Sequence, residues 1–304
     1  VYCHNKLKWS KYNYYWDKGL LKKMVGFSSW TVLGAGSHLL GSQGINVLIN
    51  IFFGPIFNAS RAIAMQVQQA VQTFSSNFMV AIRPQIVKSY SRKEYEAMYR
   101  LVFMSSKGSY FLLFLISLPL LLEIDYILKL WLGHVPEYTA IYTRLILIDI
   151  LVGATISPLA AVSQASGRVR NYQLVISCCF LLVVVVTAIL FKYGFASYTA
   201  FVVSIVFSAI GVFARMIELW YSVKFPIKRF CKEVLSRIFV TTLIAVIIPL
   251  FMYYQDLIHN EMVRLIIMSV TSFISCIVSI WIFGLDKEEK ITLINIIKSK
   301  LAKS

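Results

Sequence analysis

The chain has 304 residues, of which 58% are hydrophobic and only 14% are charged, and its mean hydropathy is +0.71. This composition excludes a soluble globular domain, because too few polar side chains are present to cover the surface. The formal net charge of +16 does not indicate nucleic-acid binding, since the basic residues lie in short stretches between apolar blocks, where anionic lipids of the cytoplasmic leaflet attract them.

The basic residues are concentrated in five short polar stretches, which contain 22 of the 30 Lys and Arg residues. The stretches are 6–23, 88–100, 168–170, 224–237 and 287–303. When each apolar block between them is read as one or two membrane crossings, every stretch falls on the same side, as the positive-inside rule requires of cytoplasmic loops. The sequence therefore predicts a multi-pass protein of the inner (plasma) membrane with these stretches in the cytoplasm.

The first segment, 1–23, combines basic residues with aromatic ones and has neither an initiator Met nor a signal peptide. Aromatic and basic residues together are typical of a segment that lies at the membrane–water interface. We expect it to be a cytoplasmic linker and the chain to be the C-terminal part of a longer protein.

Apolar stretches of about 20 residues can cross the hydrocarbon core as helices. The sequence predicts an all-α membrane protein with about eight such helices, at 24–53, 59–87, 101–122, 138–163, 172–191, 198–223, 238–254 and 265–285. The outer connections are short and leave no room for an extracytoplasmic catalytic domain. No Gly-rich phosphate loop, metal-binding cluster or nucleophile triad is present in the sequence, so we expect no enzyme, no metal and no cofactor.

Polar residues within the first two predicted spans are the strongest indication of function, because polar groups in a bilayer usually face a bundle interior or a hydrated cavity. A helical period of 100° per residue places Arg61, Gln68, Gln72, Ser76 and Arg83 within about 80° of one another. The first span has Gln43, Asn46 and Asn50 on one face. Because only the short turn 54–58 joins the two spans, we expect them to be neighbours that line one cavity. Interhelical hydrogen bonding is the alternative for the amides.

Further charges lie in later spans, at Lys107, Arg144, Asp149, Arg215 and Glu218. The excess of cations favours an anionic ligand, since guanidinium groups bind phosphate oxygens through paired hydrogen bonds. Lys107 and Arg144 are expected to lie too deep to reach the headgroups. Asp149 is expected either to pair with Arg144 or to exchange a proton during transport, and Arg215 with Glu218 to form a surface ion pair. Arg61 and Arg83 have the alternative of extending to the headgroups.

Residues 44–90 carry a family resemblance, in the sequence GINVLINIFFGPIFNASRAIAMQVQQAVQTFSSNFMVAIRPQIVKSY. This stretch resembles the start of the C-terminal lobe of bacterial polysaccharide flippases, the O-antigen and exopolysaccharide transporters of the multidrug/oligosaccharidyl-lipid/polysaccharide exporter superfamily. The segments EIDYILKLWLG and PLAAVSQASGRVRNY, further along the chain, resemble the same family.

The resemblance implies a protein of fourteen helices in two six-helix lobes plus two extra C-terminal helices. The chain would then divide into an interlobe linker (1–23), the C-terminal six-helix transport lobe (24–223), a cytoplasmic linker (224–237), two accessory transmembrane helices (238–285) and a cytoplasmic amphipathic tail (286–304).

The resemblance also implies a cargo and partners: an undecaprenyl-pyrophosphate-linked oligosaccharide moved from the inner to the outer leaflet by alternating access, the N-terminal lobe of the same protein, and membrane lipids. On this basis we expect Arg61, Arg83, Lys107 and Arg144 to attract the pyrophosphate. We expect Gln43, Asn46, Asn50, Gln68 and Gln72 to contact substrate through their amides, and Asp149 to be a candidate for coupling. A cation-coupled multidrug exporter of the same superfamily and a membrane glycan polymerase or ligase are the alternatives.

Overall fold

A computed structural model of the chain describes residues 16–255, 260–291 and 294–295, and every regular element in these ranges is helical. The all-α class predicted from the sequence is therefore confirmed for the described residues. In chain order the helices are α1 (Lys18–Phe53), α2 (Pro55–Ser91), α3 (Tyr95–Leu132), α4 (Thr139–Val152), α5 (Ile156–Ser166), α6 (Val169–Lys192), α7 (Thr199–Val223), α8 (Ile227–Phe230), α9 (Ser236–Gln255) and α10 (Glu261–Ser279).

Within the described ranges, six helical segments are long and apolar enough to cross a membrane. They are Tyr95–Leu132, Thr139–Ser166, Val169–Lys192, Thr199–Val223, Ile227–Gln255 and Glu261–Gly284. These segments indicate a multi-pass membrane protein. The predicted count of eight spans is not confirmed, because α1 and α2 are long helices but are not among the six.

The junction between α1 and α2 follows from its local sequence, Phe53-Gly54-Pro55. Gly54 ends α1 with a φ of +91°, a region of backbone space that glycine enters without a steric penalty. Pro55 then begins α2, where its missing N–H leaves no hydrogen bond unmade. At the other end of α1, the Asp17 carboxylate accepts hydrogen bonds from the backbone N–H groups of Gly19 (2.7 Å) and Leu20 (3.1 Å).

The buried side chains form two apolar clusters that join the helices into one bundle. The smaller cluster includes Ile49 of α1, Ala64 of α2 and Tyr142 of α4, packed against α6 and α7. The larger one is centred on α3, whose residues Phe111 and Phe114 share a core with Ala245 of α9 and Met268 of α10. The last two long helices therefore pack against α3 rather than standing apart from the other helices.

Three predicted segments are only partly covered by the described residues. The predicted linker 224–237 contains α8 and a widened helical turn, Cys231–Leu235, that leads into α9. Within the predicted tail, residues 286–291 and 294–295 are described, and 287–291 form a short helical turn. The predicted linker 1–23 is described only from residue 16 onward.

Candidate functional site: a polar cavity within the bundle

A cavity of about 270 Å³ lies among α1, α2, α4, α6 and α7. Polar and charged side chains from four of these helices line it, among them Ser42, Arg61, Gln68, Gln72, Asp149 and Arg215. The apolar wall includes Ile45, Phe180 and Phe201. A polar pocket inside an apolar bundle is the primary candidate for a binding site.

Arg61 lies in the second turn of α2 and reaches across to α1. Its two terminal nitrogens donate hydrogen bonds to the Asn46 side-chain oxygen (3.2 Å) and to the Ser42 carbonyl (3.1 Å), and the residue is only 8% exposed. The N–H on Nε is buried and has no partner among the described residues. The guanidinium is therefore held in one position by neutral oxygens, and its positive charge is not cancelled by a carboxylate in the described part of the chain.

Arg215 brings a second guanidinium to the cavity from α7. The residue is 4% exposed, and one of its terminal nitrogens fits against Gly211, where a side chain would leave no room for it. We expected a surface ion pair with Glu218, and this expectation is wrong. Both residues are buried, and no ion pair within 4 Å joins them. They point to different places, since Arg215 lines the cavity and Glu218 lines a separate groove.

Asp149 supplies the acid of the cavity, from α4. Its carboxylate accepts a hydrogen bond of 2.6 Å from the Ser208 hydroxyl of α7. The alternative of an ion pair with Arg144 is not seen, because Arg144 lies beside Asp125 and donates its Nε–H to the Leu121 carbonyl at 3.1 Å. Asp149 therefore remains in the cavity with two arginines and several amides.

The glutamines form a row along α2. Gln68, Gln69 and Gln72 all line the cavity, and Gln69 and Gln72 are also exposed at its mouth. Amide side chains present both donors and acceptors, which suits hydroxyl-rich or phosphate-bearing ligands. On α1, Asn46 lies behind Arg61 as its hydrogen-bond partner, whereas Gln43 and Asn50 are exposed and are not part of the cavity wall.

Two of the basic residues predicted to bind substrate lie outside the cavity, and carboxylates neutralise their charges. Lys107 of α3 is 1% exposed, and its ammonium contacts the carboxylates of Asp286 (2.9 Å) and Glu289 (2.7 Å), just beyond the last long helix. Arg144 pairs with Asp125. The structure thus brings together Arg61, Gln68, Gln72 and Asp149, and it places Lys107 and Arg144 away from them. Arg83 is exposed on the last part of α2 and does not line the cavity.

Sequence reasoning identified Arg215 as an intramembrane charge but not as a cavity residue. It did not identify Ser204, Ser208, Gln69 or His38, which also line the cavity. In the sequence, Arg215 could be recognised as a candidate because it is a basic residue in an apolar helix. A serine in such a helix does not stand out in the same way.

The cavity can accommodate a small anion or one sugar ring, but not a whole oligosaccharide, because it is at the lower limit of typical ligand pockets of about 300–1,000 Å³. Two guanidinium groups against one carboxylate leave a net positive charge, and amide donors lie alongside. Among the described residues, no group of three His, Cys, Asp or Glu side chains is placed to hold a metal ion.

No protein-family model, curated protein or solved structure matches the chain. Function is therefore inferred mainly from the geometry of the cavity and the placement of the apolar helices.

Proposed function

We propose that the chain is one lobe of a membrane transporter that moves an anionic, lipid-linked oligosaccharide from the inner to the outer leaflet by alternating access. The observation that carries this proposal is that Arg61 and Arg215 line the same cavity as a row of glutamines. Neither arginine has a carboxylate partner among the described residues. The resemblance of residues 44–90 to polysaccharide flippases makes undecaprenyl-pyrophosphate the proposed carrier.

The physical requirement for such a transporter is to lower the barrier that hydrocarbon presents to a pyrophosphate. An isolated anion in an apolar medium is unfavourable by many kcal/mol unless it is paired and hydrogen-bonded. In the proposed mechanism, Arg61 and Arg215 attract the phosphate oxygens, and Gln68 and Gln72 bind sugar hydroxyls at the cavity mouth. The lipid tail remains in the bilayer, so that only the polar headgroup needs a hydrated route.

The polar surfaces of α1 and α2 support the same proposal. Gln43 and Asn50 of α1 and Gln69, Gln72 and Arg83 of α2 are exposed on the bundle, although residues of this kind are unfavourable against lipid. A water-filled cleft shared with an N-terminal lobe would solvate them. This arrangement also accounts for the lower hydropathy of the two helices, which we propose cross the membrane beside the cleft as the seventh and eighth helices of the whole transporter.

The test is complementation of a flippase-deficient strain by the gene expressed together with its proposed N-terminal lobe. We expect Arg61→Gln and Arg215→Gln each to reduce polysaccharide export at least tenfold at unchanged protein level, because each removes a charge that binds the anion. Arg92→Gln, which removes an exposed arginine just after α2, is the matched control and should export normally. Normal export by the double variant Arg61→Gln, Arg215→Gln would reject the proposal.

A second candidate is a cation-coupled exporter of cationic drugs, and the placement of Asp149 in the cavity favours it. The same strains distinguish the two. If Asp149→Asn abolishes efflux of a cationic dye such as ethidium while polysaccharide export is unaffected by either arginine variant, the second candidate is correct.

A further inference from the structure

A groove of about 660 Å³ lies between the start of α1 and the start of α6, apart from the central cavity. Its charged lining consists of Lys22, Arg168 and Arg170, and none of the described residues that line it is acidic. The described lining of the groove therefore has a formal charge of +3. It lies at the end of the bundle where the basic stretches of the sequence are found.

The backbone adds to the positive potential of this groove. Arg168 is the residue that precedes α6, and no side chain caps the N–H groups of the first turn of this 24-residue helix. Uncapped N–H groups at a helix start bind anionic oxygens. Arg168 is fixed by a hydrogen bond of 3.0 Å to the Ser222 carbonyl, and the Arg170 guanidinium lies 5.3 Å from the ring centre of Trp30.

The remaining wall of the groove is apolar and accessible. Met24 is 59% exposed and Phe27 is 40% exposed, and both lie on α1 beside Trp30. A free phosphate ion would gain nothing from these side chains. A lipid would place its phosphate among the three cations and its acyl chain along the apolar residues, as basic pockets at the cytoplasmic ends of membrane helices do.

We propose that this groove binds the headgroup of an anionic phospholipid of the inner leaflet. None of the described lining residues is acidic, so the ammonium group of a zwitterionic lipid would have no partner in the groove. Phosphatidylglycerol should therefore bind in preference to phosphatidylethanolamine. A neighbouring groove on the other side of Arg168 and Arg170 also contains Glu218, so we expect it to discriminate less between the two lipids. The inference does not depend on the transport proposal.

The test is native mass spectrometry of the purified chain with defined lipids. We expect phosphatidylglycerol to be retained at least tenfold more strongly than phosphatidylethanolamine. The double variant Lys22→Gln, Arg170→Gln should bind phosphatidylglycerol about 30-fold more weakly, at about fivefold per cation near a membrane surface. This variant keeps Arg168, so the contact with Ser222 is preserved.

The matched control is Lys88→Gln, Arg92→Gln, which removes two exposed cations from the end of α2 on the same side of the bundle. We expect it to change binding by less than threefold. Equal losses in the two double variants would overturn the proposal, because they would show a general surface-charge effect. Equal retention of the two lipids, or full displacement by water-soluble glycerol phosphate, would overturn it as well.

Discussion

Four basic residues on α2, α3, α4 and α7 fall into two kinds; three of them are buried, and Arg144 is half-buried. Lys107 and Arg144 are neutralised by carboxylates, whereas neither Arg61 nor Arg215 has a carboxylate partner within 4 Å in the described part of the chain. A charge removed from water is tolerated when it is paired or when water or a ligand reaches it. Paired cations are therefore expected to stabilise the fold, and the cavity arginines to act on a ligand.

Lys107 provides a test of this division. We expect Lys107→Met to lower the free energy of unfolding by about 3 kcal/mol, since it leaves the partly buried Glu289 carboxylate without its cation and the Asp286 carboxylate with Arg237 alone. The measurement is unfolding in mixed micelles titrated with SDS. The control is Arg100→Met, one heptad earlier on α3, whose ion pair with Glu288 is exposed and should contribute less than about 1 kcal/mol.

The same variant separates the structural role of Lys107 from a role in substrate binding. With a structural role, Lys107→Met lowers protein level in cells, and export per molecule of folded protein stays normal. A folded and stable Lys107→Met protein with no export would show that the original expectation for Lys107 was correct.

Among the helix pairs, the α1–α6 contact shows how sequence controls packing. Gly41 and Gly44 of α1 face Phe180 and Val184 of α6, and a β-carbon at either glycine would lie 3.0–3.2 Å from the nearest side-chain atom. Small residues at such positions allow two helices to approach closely in a membrane, where hydrophobic burial does not drive association. Gly36, two turns earlier than Gly44, has nothing within 4 Å of the corresponding position.

We therefore expect Gly44→Leu to destabilise the bundle by about 1–3 kcal/mol, because the added side chain has to displace Val184. Gly36→Leu makes the same chemical change on the same helix and should alter the free energy of unfolding by less than about 0.5 kcal/mol. Thermal denaturation of the two variants in the same detergent measures the difference. Similar losses for both would contradict the packing argument.

The molecule as a whole has two kinds of surface. The outward residues of α6, α7, α9 and α10 are mainly large and apolar, as lipid contact requires, whereas α1 and α2 expose amides and Arg83 among their apolar side chains. We expect the exposed amides and Arg83 to face a polar environment, because such groups are unfavourable against lipid.

Thiol labelling can test this orientation. In a background with the native cysteines replaced by alanine, we expect Gln72→Cys, near the middle of α2, to react with a membrane-impermeant maleimide in intact membranes. Leu182→Cys, at the exposed apolar middle of α6, is the control and should remain unlabelled. The reason is that thiols ionise and react in water but not in hydrocarbon. Equal labelling of both positions would contradict a polar cleft beside α2.

The sequence determined the features that depend on local chemistry. The apolar stretches are helices, Gly54-Pro55 separates the first two, and the helical period puts Arg61, Gln68 and Gln72 on one side of α2, where all three reach the cavity. The count of eight spans is not confirmed, because α1 and α2 are long helices but are less apolar than the six segments that could cross a membrane.

Only the tertiary structure decided which charges meet. Lys107 and its acids are about 180 positions apart along the chain, and Arg61 of α2 shares a cavity with Arg215 of α7. Helical periodicity gives the direction of a side chain relative to its own helix, but the helix that lies opposite is set by packing between distant segments. For this reason the sequence located the polar residues, and the fold assigned some of them to the cavity and others to ion pairs.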